Sequence, residues 1–157
     1  MRKLDTLENP VKSIYLGLGS NLGNKKNNIE KAKFRLIENN IKILQSSSYY
    51  ESLSWPNSNN PKFLNVVLSI STDLNPSKLL SVCKIIEKKV GRKKAPKNSP
   101  RVCDIDIIDY LNIQRNDKII LPHPRMYKRN FVLFPLFQLN KSWKHPLSNQ
   151  HIKSLIL

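Results

Sequence analysis

The stretch PRVCDIDIIDY, residues 100–110, constrains the fold of this chain more than any other. Three aspartates, Asp104, Asp106 and Asp109, fall within six positions of a segment otherwise rich in strand-forming isoleucine, valine and tyrosine. Side chains alternate along a strand, so Cys103, Ile105 and Ile107 share one face, which is expected to lie under helices. Asp104 and Asp106 share the other face. Asp109 has the opposite parity and stands near the strand end, where it reads as a solvated turn residue. Two carboxylates held side by side repel unless a cation sits between them. A lone D-x-D fits a metal site and a half-exposed polar strand face equally well. The cations just ahead of it, Arg92, Lys93, Lys94, Lys97 and Arg101, favour the metal, because a Mg²⁺-bound phosphate chain needs both carboxylates and basic side chains.

The rest of the chain supplies elements around this strand. Val11–Gly17 reads as a first strand and SNLGNKKNN as a loop. Ile29–Glu38 reads as a helix with apolar positions Ile29, Ala32, Phe34, Leu36 and Ile37, ended by Asn39 and Asn40. Ile43–Ser52 is extended, LSWPNSNNP is a turn-rich loop, and Phe63–Thr72 is a strand. Asn75 and Pro76 open a second helix as N-cap and first helical residue. Its stripe is Leu79, Leu80, Val82, Cys83, Ile86 and Val90, and Gly91 stands where a C-terminal cap belongs. After the aspartate strand come a short hairpin through Ile119–Leu121 and a helix following Pro124. The order β-α-β-β-α-β plus a helical tail predicts an α+β, ferredoxin-like domain, an antiparallel sheet with helices on one face. The 157 residues suit a single domain, with residues 1–11 as a polar lead-in.

Charge bounds the partners. Lys and Arg number 27 against 11 Asp and Glu, a formal charge of +16. Such a surface attracts polyanions, but the lysines are dispersed, as in an ordinary solvated surface of a chain rich in Lys, Asn and Ile. No apolar run approaches the roughly 20 residues that span a bilayer, and MRKLDTLENP lacks the apolar block of a signal peptide. Cys83 and Cys103 lack metal spacing and read as reduced core residues of a cytoplasmic protein.

Three further features carry chemistry or none. GLGSNLG holds Gly17, Gly19 and Gly23, but as G-x-G-x-x-x-G without a Walker lysine; from spacing alone a strand-to-helix turn is the better account. His123, between Pro122 and Pro124, suits a phosphate contact or proton transfer as well as it suits a plain loop. Phe131 taken alone reads as core rather than as a stacking face.

Taken together, GLGSNLG, FLN, PRVCDIDIID and LPHPRMYKRNFVLFPL, in this order and spacing from about Val11 to Pro146, resemble the 6-hydroxymethyl-7,8-dihydropterin pyrophosphokinases of folate biosynthesis. The resemblance implies transfer of the β,γ-diphosphate of ATP to the pterin hydroxymethyl group with release of AMP. It implies Mg²⁺, two ions with ATP, held by Asp104 and Asp106. By resemblance Arg92 and Arg101 join the two aspartates as catalytic residues. Glu87, Lys94, Lys97, Ile107, Lys118, His123 and Arg129 fall to the nucleotide. Gly19, Ser52, Phe63, Asn65 and Phe131 fall to the pterin, with Phe131 stacking on it and Asn65 bonding its edge. A flat, amide-like ring wants both kinds of partner. Other folate enzymes are implied as possible partners; nucleic acid and membrane are not.

The chain departs from the family pattern at identifiable places. KNSPR stands for a Trp-Gly-Pro-Arg type of run in the basic loop, which is also one residue short against some members. Lys94 and Lys97 replace arginines, losing bidentate phosphate contacts, and SLSW replaces a proline-rich turn near the pterin. A nucleic-acid-binding module on the same fold is the alternative, but it needs an aromatic RNA-recognition pattern on the strands that is lacking here.

Overall fold

A computed structural model describes residues 12–156; the lead-in over residues 1–11 lies outside them. The sheet is antiparallel throughout. Its order is β2 (Lys42–Ser46), β4 (Phe63–Ser71), β1 (Ile14–Ser20), β5 (Asp104–Tyr110), and β3 (Tyr50–Ser52) also pairs with β4. The expected extended run from Ile43 is therefore two strands on one neighbour. Helices α1 (Lys25–Glu38) and α2 (Pro76–Val90) complete the first layer, and β6 (Arg115–Asn116) pairs with β7 (Ile120–Leu121) as the expected hairpin. A 3-10 turn, Met126–Lys128, leads into α3 (Asn130–Leu139), and α4 (Ile152–Leu155) follows.

The strands are apolar on both faces, so the sheet is covered on both. Leu16, Leu18, Val66, Leu68, Ile105 and Ile107 pack under Ile29, Leu36, Leu79, Cys83 and Ile86 of α1 and α2. Tyr15, Val67 and Ile108 on the reverse face pack under Met126, Leu133, Leu136, Trp143 and Ile152. Helices on one face alone were expected; the tail builds a second core on the other. Cys83 and Cys103 are buried and unbridged, and burial pushes both thiols up to about 12. No helix among the described residues is long and apolar enough to cross a membrane.

Local chemistry accounts for the boundaries. Asn75 Oδ1 accepts the Lys78 N–H at 2.9 Å and Gly91 ends α2 at φ 130°, as the sequence predicts. Helix α1 begins before Ile29, because Asn24 Oδ1 accepts the Asn27 N–H at 3.1 Å and caps it there. Its buried stripe is Ile29, Ala32 and Leu36; Phe34 and Ile37 are exposed at 61% and 56%. Phe34 is two residues from Leu36, roughly 200° around the helix, and cannot share its face. The tail helix starts only at Asn130, because residues after Pro124 close i→i−3 bonds and Arg129 is extended at φ −119°, ψ 99°.

Two corrections concern β1 and β5. Strand β1 runs on through the glycines to Ser20, so Gly17 and Gly19 lie within the strand rather than in a turn after it. A Cβ on Gly19 would stand 3.2 Å from Asn65 Oδ1, and one on Gly17 3.0 Å from Ile108 Cδ1. Close approach, not a turn, is what these glycines permit. The β1–β5 register shifts between Tyr15 and Leu16: Leu16 faces Ile107 but Tyr15 faces Asp109. Ile108 is thereby extra, a β-bulge, and parity inverts beyond it. Asp109 is no solvated turn residue. It is 2% exposed, accepts the Trp143 indole N–H at 2.8 Å and the Asn112 N–H at 3.0 Å, and burial raises its pKa.

Candidate active site

The reverse face of β1, β4 and β5 is open where α3 and the tail stop covering it. There lies a cavity of about 470 Å³ with Gly19, Ser52, Phe63, Asn65, Arg101, Asp104, Asp106, His123, Arg129 and Phe131 in its walls. A second cavity of about 450 Å³ adjoins it, lined by the basic loop with Arg92, Lys94 and Lys97. Arg101, Asp104, Asp106, His123 and Arg129 line both. One half is aromatic and amide-bearing, the other basic, and the carboxylate pair stands at their junction. Glu87, Ile107 and Lys118 line neither. Glu87 is buried beneath the site, Ile107 is in the core between sheet and helices, and Lys118 is in the turn between β6 and β7.

The two aspartates share a face but not an environment. Asp104 Oδ1 is 3.2 Å from Arg92 Nη1, and Oδ2 is 3.4 Å from Arg101 Nη2. Asp106 has no such pair among the described residues, and burial, reinforced by the neighbouring Asp104, pushes its pKa up to about 7. Such a pair suits a hard divalent cation, whose arrival removes both penalties. The described residues hold no third His, Cys, Asp or Glu to complete a metal cage, so further oxygen ligands would come from substrate and water.

The cation holding Asp104 is itself held. Glu87 Oε1 is 2.9 Å from Arg92 Nη1, and Glu87 Oε2 accepts the buried Ile105 N–H at 2.7 Å. The C-terminal part of α2 thus fixes Arg92 against the first aspartate of β5. His123 donates its backbone N–H to Ile108 O at 2.8 Å, and its Nδ1 accepts the Arg125 N–H at 3.2 Å. Burial, then the charges of Arg129 and Arg125, push His123 down to about 4. The imidazole is neutral near pH 7, with Nδ1 engaged as an acceptor, so its proton is on Nε2 and available as a donor.

In the aromatic half, Asn65 Nδ2 donates to Tyr50 O at 3.0 Å and to Ser52 Oγ at 2.9 Å. Both amide hydrogens are used within the protein, and Oδ1, over Gly19, remains as an acceptor for a ligand N–H. The ring faces carry cations: Arg101 Cζ is 4.9 Å from the Phe63 centroid and Arg129 Cζ is 5.5 Å from that of Phe131. Trp55, Arg125, Tyr127 and Lys128 also line the first cavity. Sequence reasoning missed them as site residues: they lie on loops and on the short 3-10 turn, where strand and helix periodicity carries no signal.

Residues 15–141 match the model of the family described as 7,8-dihydro-6-hydroxymethylpterin-pyrophosphokinase (HPPK). The "2-amino-4-hydroxy-6-hydroxymethyldihydropteridine pyrophosphokinase" of Aquifex aeolicus is 40% identical over 142 residues, covering 90% of this chain and 88% of that protein. The "Folic acid synthesis protein fol1" of Pneumocystis carinii is 38% identical over 90% of this chain, which spans only 19% of that longer protein. Plasmodium falciparum HPPK-DHPS superposes with a TM-score of 0.69 at 16% identity, over 93% of this chain and 41% of that one. The shared fold, the family match over most of the chain and the Aquifex relative of nearly the same extent agree: this chain belongs to the 7,8-dihydro-6-hydroxymethylpterin-pyrophosphokinase family.

Proposed function

We propose that this chain transfers the β,γ-diphosphate of ATP to the hydroxymethyl group of 6-hydroxymethyl-7,8-dihydropterin, giving the pterin diphosphate and AMP in the route to tetrahydrofolate. One observation carries the reading within this family: Asp104 and Asp106 stand where an aromatic cavity meets a basic one. The pterin lies in the first cavity, with Phe131 stacked on its ring, Phe63 as a wall, Gly19 and Ser52 beside it, and Asn65 Oδ1 accepting from a ring N–H. The ATP phosphates lie in the second, met by Arg92, Lys94, Lys97, Arg101 and Arg129, with His123 donating from Nε2. The pterin hydroxyl oxygen bonds to the β-phosphorus, the bond from that phosphorus to the oxygen bridging the α-phosphate breaks, and AMP leaves as the hydroxyl proton is lost.

Asp104 and Asp106 would hold Mg²⁺, two ions with ATP, which would supply neutralisation of the charge that builds on the phosphates. The protein positions both substrates and stabilises developing charge. Glu87 acts from beneath by fixing Arg92. Ile107 and Lys118 are assigned to the nucleotide by the family resemblance alone, since neither lines a cavity. The fold reads as ferredoxin-like βαββαβ with a helical tail, one domain over residues 1–157 working in the cytoplasm. Other folate enzymes are its partners in the pathway; nucleic acid and membrane have no part in the reading. Incubation with Mg²⁺, ATP and the hydroxymethyl dihydropterin tests it. AMP appearing in step with the pterin diphosphate is expected. ADP as product, or nucleotide hydrolysis that ignores the pterin, would overturn it.

A further inference from the structure

We infer that Asn21 is a positioning residue that ties the heterocycle half of the site to the phosphate half; the inference rests on the function proposed above. Asn21 follows β1 directly and is 2% exposed. Its Oδ1 accepts the Arg101 N–H at 2.7 Å, and its own backbone N–H donates to Arg101 O at 3.1 Å. Its Nδ2 donates to Ser54 Oγ at 3.1 Å and to Pro61 O at 3.2 Å. A backbone N–H can only donate, so Oδ1 must face Arg101 and Nδ2 must face the other loop.

One carboxamide therefore grips two segments that do not otherwise belong together. Residues 53–62 carry Trp55 on the rim of the aromatic cavity, and Ser54 also donates to Pro61 O, closing the two ends of that loop on each other. Residues 92–101 are the basic loop, and Arg101 is its last residue.

Arg101 needs an external hold. Its side-chain bonds are long, 3.3 Å to Ser99 O and 3.4 Å to Asp104 Oδ2, and its Nε is buried with no hydrogen-bond partner among the described residues. Yet its guanidinium lies over Phe63 and lines both cavities. A side chain so poorly satisfied does not place itself. Its backbone does, and Asn21 holds that backbone by both its N–H and its C=O. The carboxamide thus sets the place of Arg101 between the ring wall and the carboxylates, while the other arm sets the rim bearing Trp55.

The two arms are separable. Asn21→Asp keeps an acceptor for Arg101 but loses both donors toward Ser54 and Pro61; Asn21→Ala loses everything the side chain does. Hydrogen exchange on the ligand-free full chain, with steady-state kinetics on both substrates, reads the difference. Asn21→Ala is expected to speed exchange in segments 53–62 and 92–101 together and to lower kcat by about tenfold or more, the loss of about one charged or buried hydrogen bond. In an Arg101→Ala background it is expected to lower kcat little further, since it acts through that residue. Asn21→Asp is expected to loosen 53–62 alone and to raise KM for the pterin more than it lowers kcat. Exchange that rises evenly over the whole chain, kcat losses of Asn21→Ala and Arg101→Ala that multiply, or Asn21→Asp loosening 92–101 would each overturn the inference. Should Asn21→Ala fail to fold, the Asn21→Asp pattern alone decides. A wild-type chain that forms no AMP would remove the proposed function, while the exchange patterns still judge the clamp.

Discussion

Glu87 is the most exposed point of the reasoning, because the carboxylate that holds Arg92 touches no cavity. Its side chain is 4% exposed and makes three contacts: 2.9 Å to Arg92 Nη1, 2.7 Å from the Ile105 N–H and 3.4 Å to Lys84 Nζ. Glu87→Ala strands a buried backbone donor, the Ile105 N–H at the start of β5, worth about 1–3 kcal/mol. It also breaks a buried ion pair, worth about 3–5 kcal/mol when both charges are fully enclosed. The Arg92 side chain is 32% exposed and retains Asp104, so the ion-pair contribution falls near or below the bottom of that range. A total loss of about 3–4 kcal/mol follows, against the roughly 5–15 kcal/mol that holds a domain together. For a chain of this size that is about 10 °C in Tm. Glu87→Gln keeps an oxygen for Ile105 but presents an amide to Arg92, and about half the loss is expected. Urea unfolding followed by circular dichroism measures both, with an unchanged m-value as the sign that only stability moved. The Gln variant should also lose kcat, because Arg92 is then no longer anchored from beneath at the head of the carboxylate pair. If Glu87→Ala costs under about 1 kcal/mol, the carboxylate holds neither group and the positioning role is wrong.

Three further outcomes follow from the same geometry. Asp106 has its folded pKa raised to about 7, so the folded protein keeps a proton that the unfolded chain has released, and metal-free stability falls as pH rises from about 4 toward 7. Asp106→Asn should flatten that slope and raise Tm at pH 8 while abolishing turnover; an unaltered slope in metal-free melts refutes the charge argument. Asp109→Ala leaves the buried indole N–H of Trp143 without its acceptor and should cost about 2–3 kcal/mol in denaturant titration with kcat within about twofold, whereas a catalytic loss would mean that this third aspartate does chemistry. Arg101→Ala should lower kcat about a hundredfold and Lys93→Ala no more than about twofold, since Arg101 reaches Asp104 and Phe63 while Lys93 lines only the basic cavity; equal losses would reduce the loop to diffuse charge.

How much of this was legible depended on whether the cause was local. Helix α2 was, end to end, since its Asn75 cap, Pro76 and Gly91 each act within a turn of where they stand. The face carrying Asp104 and Asp106 was legible because alternation is a property of one strand. Asp109 was not, because the bulge that turns it inward exists only in the pairing of β5 with β1. The glycines of β1 misled for a related reason. Their use lies in Asn65 and Ile108 on neighbouring strands, whereas a glycine read along the chain suggests a turn. Phe34 and Ile37 of α1 were assigned by hydrophobicity rather than by angle, and the angle prevailed.

The candidate site shows the same division more sharply. Along the strand, Asp104 and Asp106 are equivalent: the same residue, the same face, two positions apart. In the fold they are not. Helix α2 delivers Glu87 and Arg92 to one end of β5, Arg101 arrives from the basic loop, and both arginines converge on Asp104. Asp106, further from the loop, is left to burial. The ligand-free site is thus polarised, with one carboxylate compensated by the protein and one awaiting compensation. A cation held by the pair would meet its least compensated carboxylate at Asp106. On the function proposed above it would share Asp104 with Arg92 and Arg101, whose guanidinium donors would then be open to phosphate oxygens. On that reading the unequal aspartates would link metal entry to the release of Arg92 and Arg101 toward the phosphates.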